Sequence, residues 1–122
     1  MRAALTGDLD TVRALIAGGA DVNDKNEDGR TSLMFAAING QTDCAKELMQ
    51  HGADVNAKAN DGGTALLLAA SSGDTDLVKA LLARGADVSG KYTQTGQTAV
   101  MIARDHGYDE IVQLLQSAGA KQ

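Results

Sequence analysis

Residues 24–29 read DKNEDG. An acid first, Asn26 third, Asp28 fifth and Gly29 sixth is the spacing with which a helix-flanked calcium loop begins, since alternate oxygens then surround one hard cation. Such a loop closes with a bidentate glutamate at its twelfth position. Counted from Asp24, that position is Phe35, which cannot ligate, and the next acid is Asp43. Ser32, at the ninth, is the one later oxygen in register. The same six letters suit a polar turn, because Asn and Asp bond their own backbone and Gly accepts a positive φ. The sequence favours the turn.

Other reactive side chains are few. The chain has two histidines, His51 and His106, and one cysteine, Cys44, which cannot form an internal disulfide. Each histidine precedes a glycine at what reads as a helix C-terminus, where a cation complements the helix dipole. No zinc spacing, phosphate loop or nucleophile elbow occurs. A non-enzymatic chain with no cofactor and no metal is expected.

The bulk numbers narrow the partners. The 122 residues suit one domain with a modest core. Hydrophobic content is 43% but aromatic content only 2%, so Ala, Leu, Val and Met must build that core, as closely packed helices allow. A net charge of −5 argues against nucleic acid, which needs a basic footprint. No apolar run approaches the ~18 residues of a membrane span, and MRAALTGD lacks the apolar centre of a signal peptide. A monomer in the cytoplasm, with no membrane partner, is the expectation.

What positions the side chains is a repeat. GADV occurs at 19–22, 52–55 and 85–88, each 33 residues after the last, and decays to GAK at 119–121. Thr-x-[Leu/Val] keeps step at 31–33, 64–66 and 98–100, as do Gly7, Gly40, Gly73 and Gly107. The apolar spacing of LVKALL at 77–82 recurs more loosely near the end of each unit, as TVRALI at 11–16, CAKELM at 44–49 and IVQLLQ at 111–116. Within one unit, Thr64 reads as an N-cap, ALLLAAS as two turns of good helix formers, and Gly73 as a left-handed stop. Asp76 then opens a second helix whose Leu77, Val78, Leu81 and Leu82 form one stripe. Neither helix can bury its stripe alone, whereas stacked neighbours can, giving a solenoid. The pairs Ala36–Ala37 and Ala69–Ala70 let adjacent first helices approach closely.

EDGRTSLMFAAING, NDGGTALLLAASSG and QTGQTAVMIARDHG, with DVN at 21–23 and 54–56 and DVS at 87–89, carry a resemblance to the ankyrin-repeat family. It covers essentially the whole chain. It implies an all-α ankyrin-repeat solenoid of about four helix–turn–helix repeats of 33–34 residues with hairpin-like finger loops. One domain, 1–122, would hold a partial first repeat at 1–29, repeats at 30–62 and 63–96, and a C-terminal capping repeat at 97–122. DKNEDG becomes the finger of one repeat. The resemblance also implies that Asp21, Asp54 and Asp87 brace the loops after the second helices.

The chain departs from the family pattern in places. The family's Pro is Ser32, Ala65 and Ala99, which removes preorganisation of the first helical turn. Its His is Met34, Leu67 and Met101, so packing is expected where the family makes hydrogen bonds between fingers. The fourth finger, KYTQTG, has one residue more than KANDG and should lengthen at its tip. Gln116 stands in the place of Ile16, Met49 and Leu82, and Arg104 in that of Ala4, Ala37 and Ala70, which reads as a polar end. Met1 falls inside a first helix, so fraying of the first few residues is expected.

Register assigns the reactive residues too. His51 shares its place with Gly18 and Arg84, and His106 with Thr6, Asn39 and Ser72, so neither belongs to a repeated site. Cys44 shares a stripe position with Leu77 and Ile111 and reads as a small buried hydrophobe.

Positions that vary between units are candidates for display. They are Lys25, Glu27, Asp28, Arg30, Ile38 and Asn39; then Lys58, Asn60, Asp61, Gly63, Ser71 and Ser72; then Lys91, Thr93, Gln94, Thr95, Gln97, Asp105 and His106. The resemblance implies that this concave face, fingers plus first helices, binds another protein. One display position repeats: Lys25, Lys58 and Lys91 should form a ladder, suited either to an acidic stretch of a partner or simply to solvation. A reconstructed scaffold without a natural partner and a small-molecule or metal-binding groove are the rival readings.

Overall fold

The computed structural model describes residues 8–119. The expected fraying around Met1 lies outside them. Seven helices follow in order: α1 Leu9–Ala17, α2 Ser32–Ile38, α3 Thr42–Gln50, α4 Ala65–Ser72, α5 Thr75–Ala83, α6 Ala99–Asp105 and α7 Asp109–Ser117. Among the described residues the one β-type pairing is an isolated antiparallel bridge between Lys91 and Thr98.

Capping sets where the inner helices begin. The hydroxyls of Thr31, Thr64 and Thr98 accept from the amides of Met34, Leu67 and Met101, each three residues on. Gly73, at φ 77°, stops α4 in the left-handed conformation. The expected start of α5 at Asp76 is corrected. The helix begins at Thr75, and Asp74 is the cap, because its carboxylate reaches the free amide of Leu77 at 3.1 Å. Asp76 lies inside the first turn, where an acid suits the dipole.

The helices stack in two layers. α2, α4 and α6 pack in sequence as an inner layer, and α1, α3, α5 and α7 as an outer one, with each inner helix against the outer helix that follows it. Ala36, Ala37, Ala69, Ala70 and Ala103 are wholly buried between inner helices, so close approach through small side chains is realised. Leu33, Leu66 and Val100 fill the space between layers with Leu48, Leu81 and Leu115. Each buried Leu contributes about 1.5–3 kcal/mol. Cys44 sits in this core at 1% exposure, and burial pushes its thiol pKa up.

The fingers are short hairpins that project from this body. In the first, Asn26 donates to the Arg30 carbonyl and Gly29 to that of Asn26. The Asn26 side-chain oxygen accepts the amides of Asp28 and Arg30. DKNEDG is thus a turn closed by its own asparagine. The second finger closes from Ala59 to Gly63, whereas the third closes from Tyr92 to Gln97, one residue wider. The additional residue lengthens that tip, as expected.

Successive fingers bond to one another. The Asp28 carbonyl accepts the Asn60 amide at 2.9 Å, and the Asp61 carbonyl accepts that of Thr93 at 3.0 Å. The contact requires glycine beside it. A Cβ on Gly29 (φ 78°) would lie 2.6 Å from Asn60 Oδ1, and one on Gly62 (φ 86°) 2.6 Å from the Lys91 carbonyl oxygen.

A second seam runs behind the fingers. Asn23 accepts from the Asp54 amide at 2.7 Å and donates to the Gly52 carbonyl; Asn56 does the same to Asp87 and Gly85. Asp21, Asp54 and Asp87 each accept the amide two residues on at 2.9 Å, so they brace their own turns. Ser89 follows Asp87 where the other units have Asn, and its hydroxyl bonds Asp87.

One packing expectation is corrected. Met34 and Leu67 are 1% exposed, but Met101 is 37% exposed. Met34 packs with Ala57 and Ala59 of the next finger. Met101, on the last inner helix, is left partly open.

Candidate functional site

The variable positions fall on two adjoining strips. The finger strip carries Lys25, Glu27 and Asp28, then Lys58, Asn60 and Asp61, then Lys91, Thr93, Gln94 and Thr95, all exposed; Arg30 and Gln97 are half-buried, and Gly63 is buried. The ladder bonds hold these residues in one row. The inner-helix strip carries Ile38, Asn39, Ser71, Ser72, Asp105 and His106 at the C-terminal ends of α2, α4 and α6, all exposed.

The row is tied together by polar contacts. The Lys25 ammonium donates to the Lys58 carbonyl at 3.2 Å, so one rung reaches the next. The Asn60 amide side chain donates to the Glu27 carbonyl at 2.9 Å. Tyr92 lies half-buried between fingers, its ring 3.2 Å from where a Cβ on Gly63 would stand. Burial chiefly, and Asp61 secondarily, raise its phenol pKa, with Arg30 opposing. Asp87 is held below the usual carboxylate range by Ser89, with a smaller contribution from Lys58. The lysine row therefore runs among Glu27, Asp28, Asp61 and Asp87 rather than forming an unbroken basic surface.

Three candidates are occupied locally. Asn39 donates to the Phe35 carbonyl, Ser72 to that of Ala69, and the His106 ring Nδ1 lies 2.9 Å from the Ile102 carbonyl oxygen. Each of these carbonyls also accepts a backbone amide, so the side chains add a further bond at their own helix ends. His106 also stacks on Tyr108, with ring centroids 5.3 Å apart. By contrast Ile38, Ser71 and Asp105, one residue earlier in each helix, are the outward positions.

Phe35 and Leu68 were absent from the variable set because they stand inside the repeated T-x-L-x-x-A-A core block. Both are half-buried rather than buried. Phe35 is one helical turn before Ile38 on α2, so the two form a single apolar patch, and Leu68 packs against Met34 on α4 beside it. The signal available in the sequence was their large apolar character at a place in that block where the units differ.

The opposite side of the molecule differs. The outer helices are linked by Arg13 to Glu47 at 3.2 Å, Lys79 to Glu110 at 3.5 Å, and Arg84 to the Met49 carbonyl at 2.9 Å. Thr42 at the start of α3 hydrogen-bonds Asp74 at the start of α5. His51 caps α3 and lies 3.1 Å from Glu47. An open groove between α3 and α5 is lined by Lys46, Met49, Gln50, Ala80, Ala83 and Arg84. Among the described residues no group of three or more His, Cys, Asp or Glu is placed to hold a metal ion. None of their helices is long and apolar enough to cross a membrane.

The family model described as ankyrin repeats (3 copies) matches residues 1–92 and 58–122. No curated protein matches the chain.

Proposed function

This chain belongs to the ankyrin-repeat family, and on that premise we propose that it binds a partner protein through the fingers and inner helices. Ankyrin repeats are in general protein–protein interaction modules. In our reading the chain is one domain, 1–122, with repeats at 1–29 (partial), 30–62, 63–96 and 97–122, and it works by binding rather than turnover.

The observation that carries the proposal is an apolar patch on a framed surface. Ile38 is 36% exposed on α2, with Phe35 half-exposed one turn away. Beside it stand fingers whose polar side chains face solvent while their backbones are already hydrogen-bonded. Interfaces concentrate affinity in a few central, desolvated side chains inside a polar rim. Phe35 and Ile38 suit the centre; Lys25, Glu27, Asp28, Arg30, Lys58, Asn60, Asp61 and Ser71 suit the rim. Lys91, Thr93, Gln94, Gln97 and Asp105 extend it. Asn39, Ser72 and His106 contribute less, because each already bonds its own helix. A bonded finger row loses little freedom on binding, which favours affinity.

The test compares the natural chain with Ile38→Arg, and with Lys25, Lys58 and Lys91 changed to Glu, as baits in lysate of the source cell. Any retained protein is then purified and titrated calorimetrically. Ile38→Arg should weaken binding about tenfold or more, roughly 1.4 kcal/mol. Equal affinity for all three baits would move the binding surface elsewhere.

A further inference from the structure

The outer helices carry a basic residue at one repeated place. Arg13, Lys46 and Lys79 are 33 residues apart, on α1, α3 and α5. Where α1 meets α3, this residue finds a carboxylate. Glu47 lies 3.2 Å from Arg13 and 3.1 Å from His51, which caps the same helix. The Glu47 side chain is only 14% exposed. Arg13 chiefly, with His51, holds its carboxyl below the usual range. One group from the preceding unit and one from the same unit thus bracket a carboxylate.

Where α3 meets α5, the bracket recurs but the acid does not. Lys46 takes the place of Arg13, Arg84 that of His51, and Ala80 that of Glu47. The groove of about 260 Å³ opens there, lined by these three residues with Met49, Gln50 and Ala83. Arg84 donates one N–H to the Met49 carbonyl at 2.9 Å, which holds the guanidinium across the groove with its other donors to spare. Among the described residues Lys46 is exposed and forms no ion pair, and Asp76, one turn before Ala80, pairs with neither cation. Where α5 meets α7, Lys79 has Glu110 at 3.5 Å. The groove lies inside the array, with α1 packed on one side of it and α7 on the other, so its openness comes from Ala80 and not from an end of the stack.

We propose that the α3–α5 groove receives a glutamate side chain from an acidic partner segment, its carboxylate lying between Lys46 and Arg84 as Glu47 lies between Arg13 and His51. The methylenes of that side chain would rest on Met49, Ala80 and Ala83. Hydrogen bonds from a guanidinium to a carboxylate are among the stronger polar contacts, and the planar fork of arginine fixes their direction. Because the groove is open, a free carboxylate would keep much of its water, whereas a peptide also removes the apolar floor from water. No acid lines this groove, while the finger lysines run among acids. The surface is separate from the finger face, since α3 and α5 form the outer layer and Ile38 lies on α2.

The probe is the acetylated, amidated peptide AAEAA, with AAQAA as its uncharged counterpart, titrated at low salt into the isotope-labelled 122-residue chain and followed by amide chemical shifts. Saturable shifts centred on Lys46, Ala80 and Arg84 are expected, with a Kd on the order of 10 mM, and AAQAA should bind about tenfold more weakly or less. Lys46→Gln, at an exposed position, should weaken AAEAA about tenfold while circular dichroism stays unchanged. Ala80→Glu supplies the carboxylate from within the chain. It should abolish the AAEAA shifts, and the introduced carboxyl should titrate below its ordinary value of about 4. Ile38→Arg should leave binding unaltered. No saturable shift, equal binding of AAQAA, shifts centred on Lys25, Lys58 and Lys91, or undiminished binding by Ala80→Glu would each overturn the proposal. Butyrate binding as tightly as AAEAA would overturn the assigned occupant and give the groove to small carboxylates.

Discussion

Glu47 ties α1 to α3 through one carboxylate. Arg13 hydrogen-bonds it and lowers its pKa most, and His51 adds to the effect. Asp8 is lowered by Thr11, and Asp87 by Ser89. A carboxyl held below its ordinary value, about 4, contributes stability that is full above that value and is lost as pH falls through the folded one. The melting temperature should therefore decline as pH drops below about 4. The decline should be shallower in Glu47→Gln, as measured by circular dichroism across that range. Ile38 is the residue-scale contrast. Because it is exposed, Ile38→Arg should change stability by less than about 0.5 kcal/mol in urea titrations, so any loss of binding reports on the surface alone.

At the scale of the elements, the finger turns and helix caps make separable contributions. Gly40→Ala meets open space and bears only the left-handed strain, about 1–2 kcal/mol. Gly62→Ala has the same kind of strain and in addition places a methyl 2.6 Å from a backbone oxygen of the next finger. It should cost more than Gly40→Ala in urea unfolding, and it should disturb the amide of Thr93. Thr64→Ala removes the cap on the Leu67 amide at a buried site and should cost about 1 kcal/mol. If Gly62→Ala and Gly40→Ala are equally destabilising, the fingers do not press on one another as described.

For the whole molecule, each unit leans on its neighbours, through packed inner helices, the finger ladder and the asparagine seam. Stability in such an array is a sum of unit and interface terms, so its ends matter. Replacing Arg104 with Ala and Gln116 with Leu would turn the polar end into one resembling the interior of the stack. That double variant should sediment with a concentration-dependent mass above that of the parent chain. Unchanged sedimentation would mean that these two side chains do not keep the end apart from other molecules.

The periodic sequence by itself determined the layered helices, the fingers and nearly all of the core, because positions in equal surroundings must carry similar side chains. Cys44 was placed with Leu77 and Ile111 on that ground alone, and all three are 0–1% exposed. The candidate face was legible for the opposite reason, as the places where units differ. Register could not show what each variable side chain does once folded. Asn39, Ser72 and His106 bond their own helix ends, and Phe35 and Leu68 are half-open inside a core block. Nor could it show how closed each place is. Leu15 shares a place with Leu48, Leu81 and Leu115, yet is 50% exposed while they are at 0–4%; Met101 departs from Met34 and Leu67 in the same way. Burial belongs to a residue and its neighbours together, and only the tertiary structure supplies or withholds the neighbour.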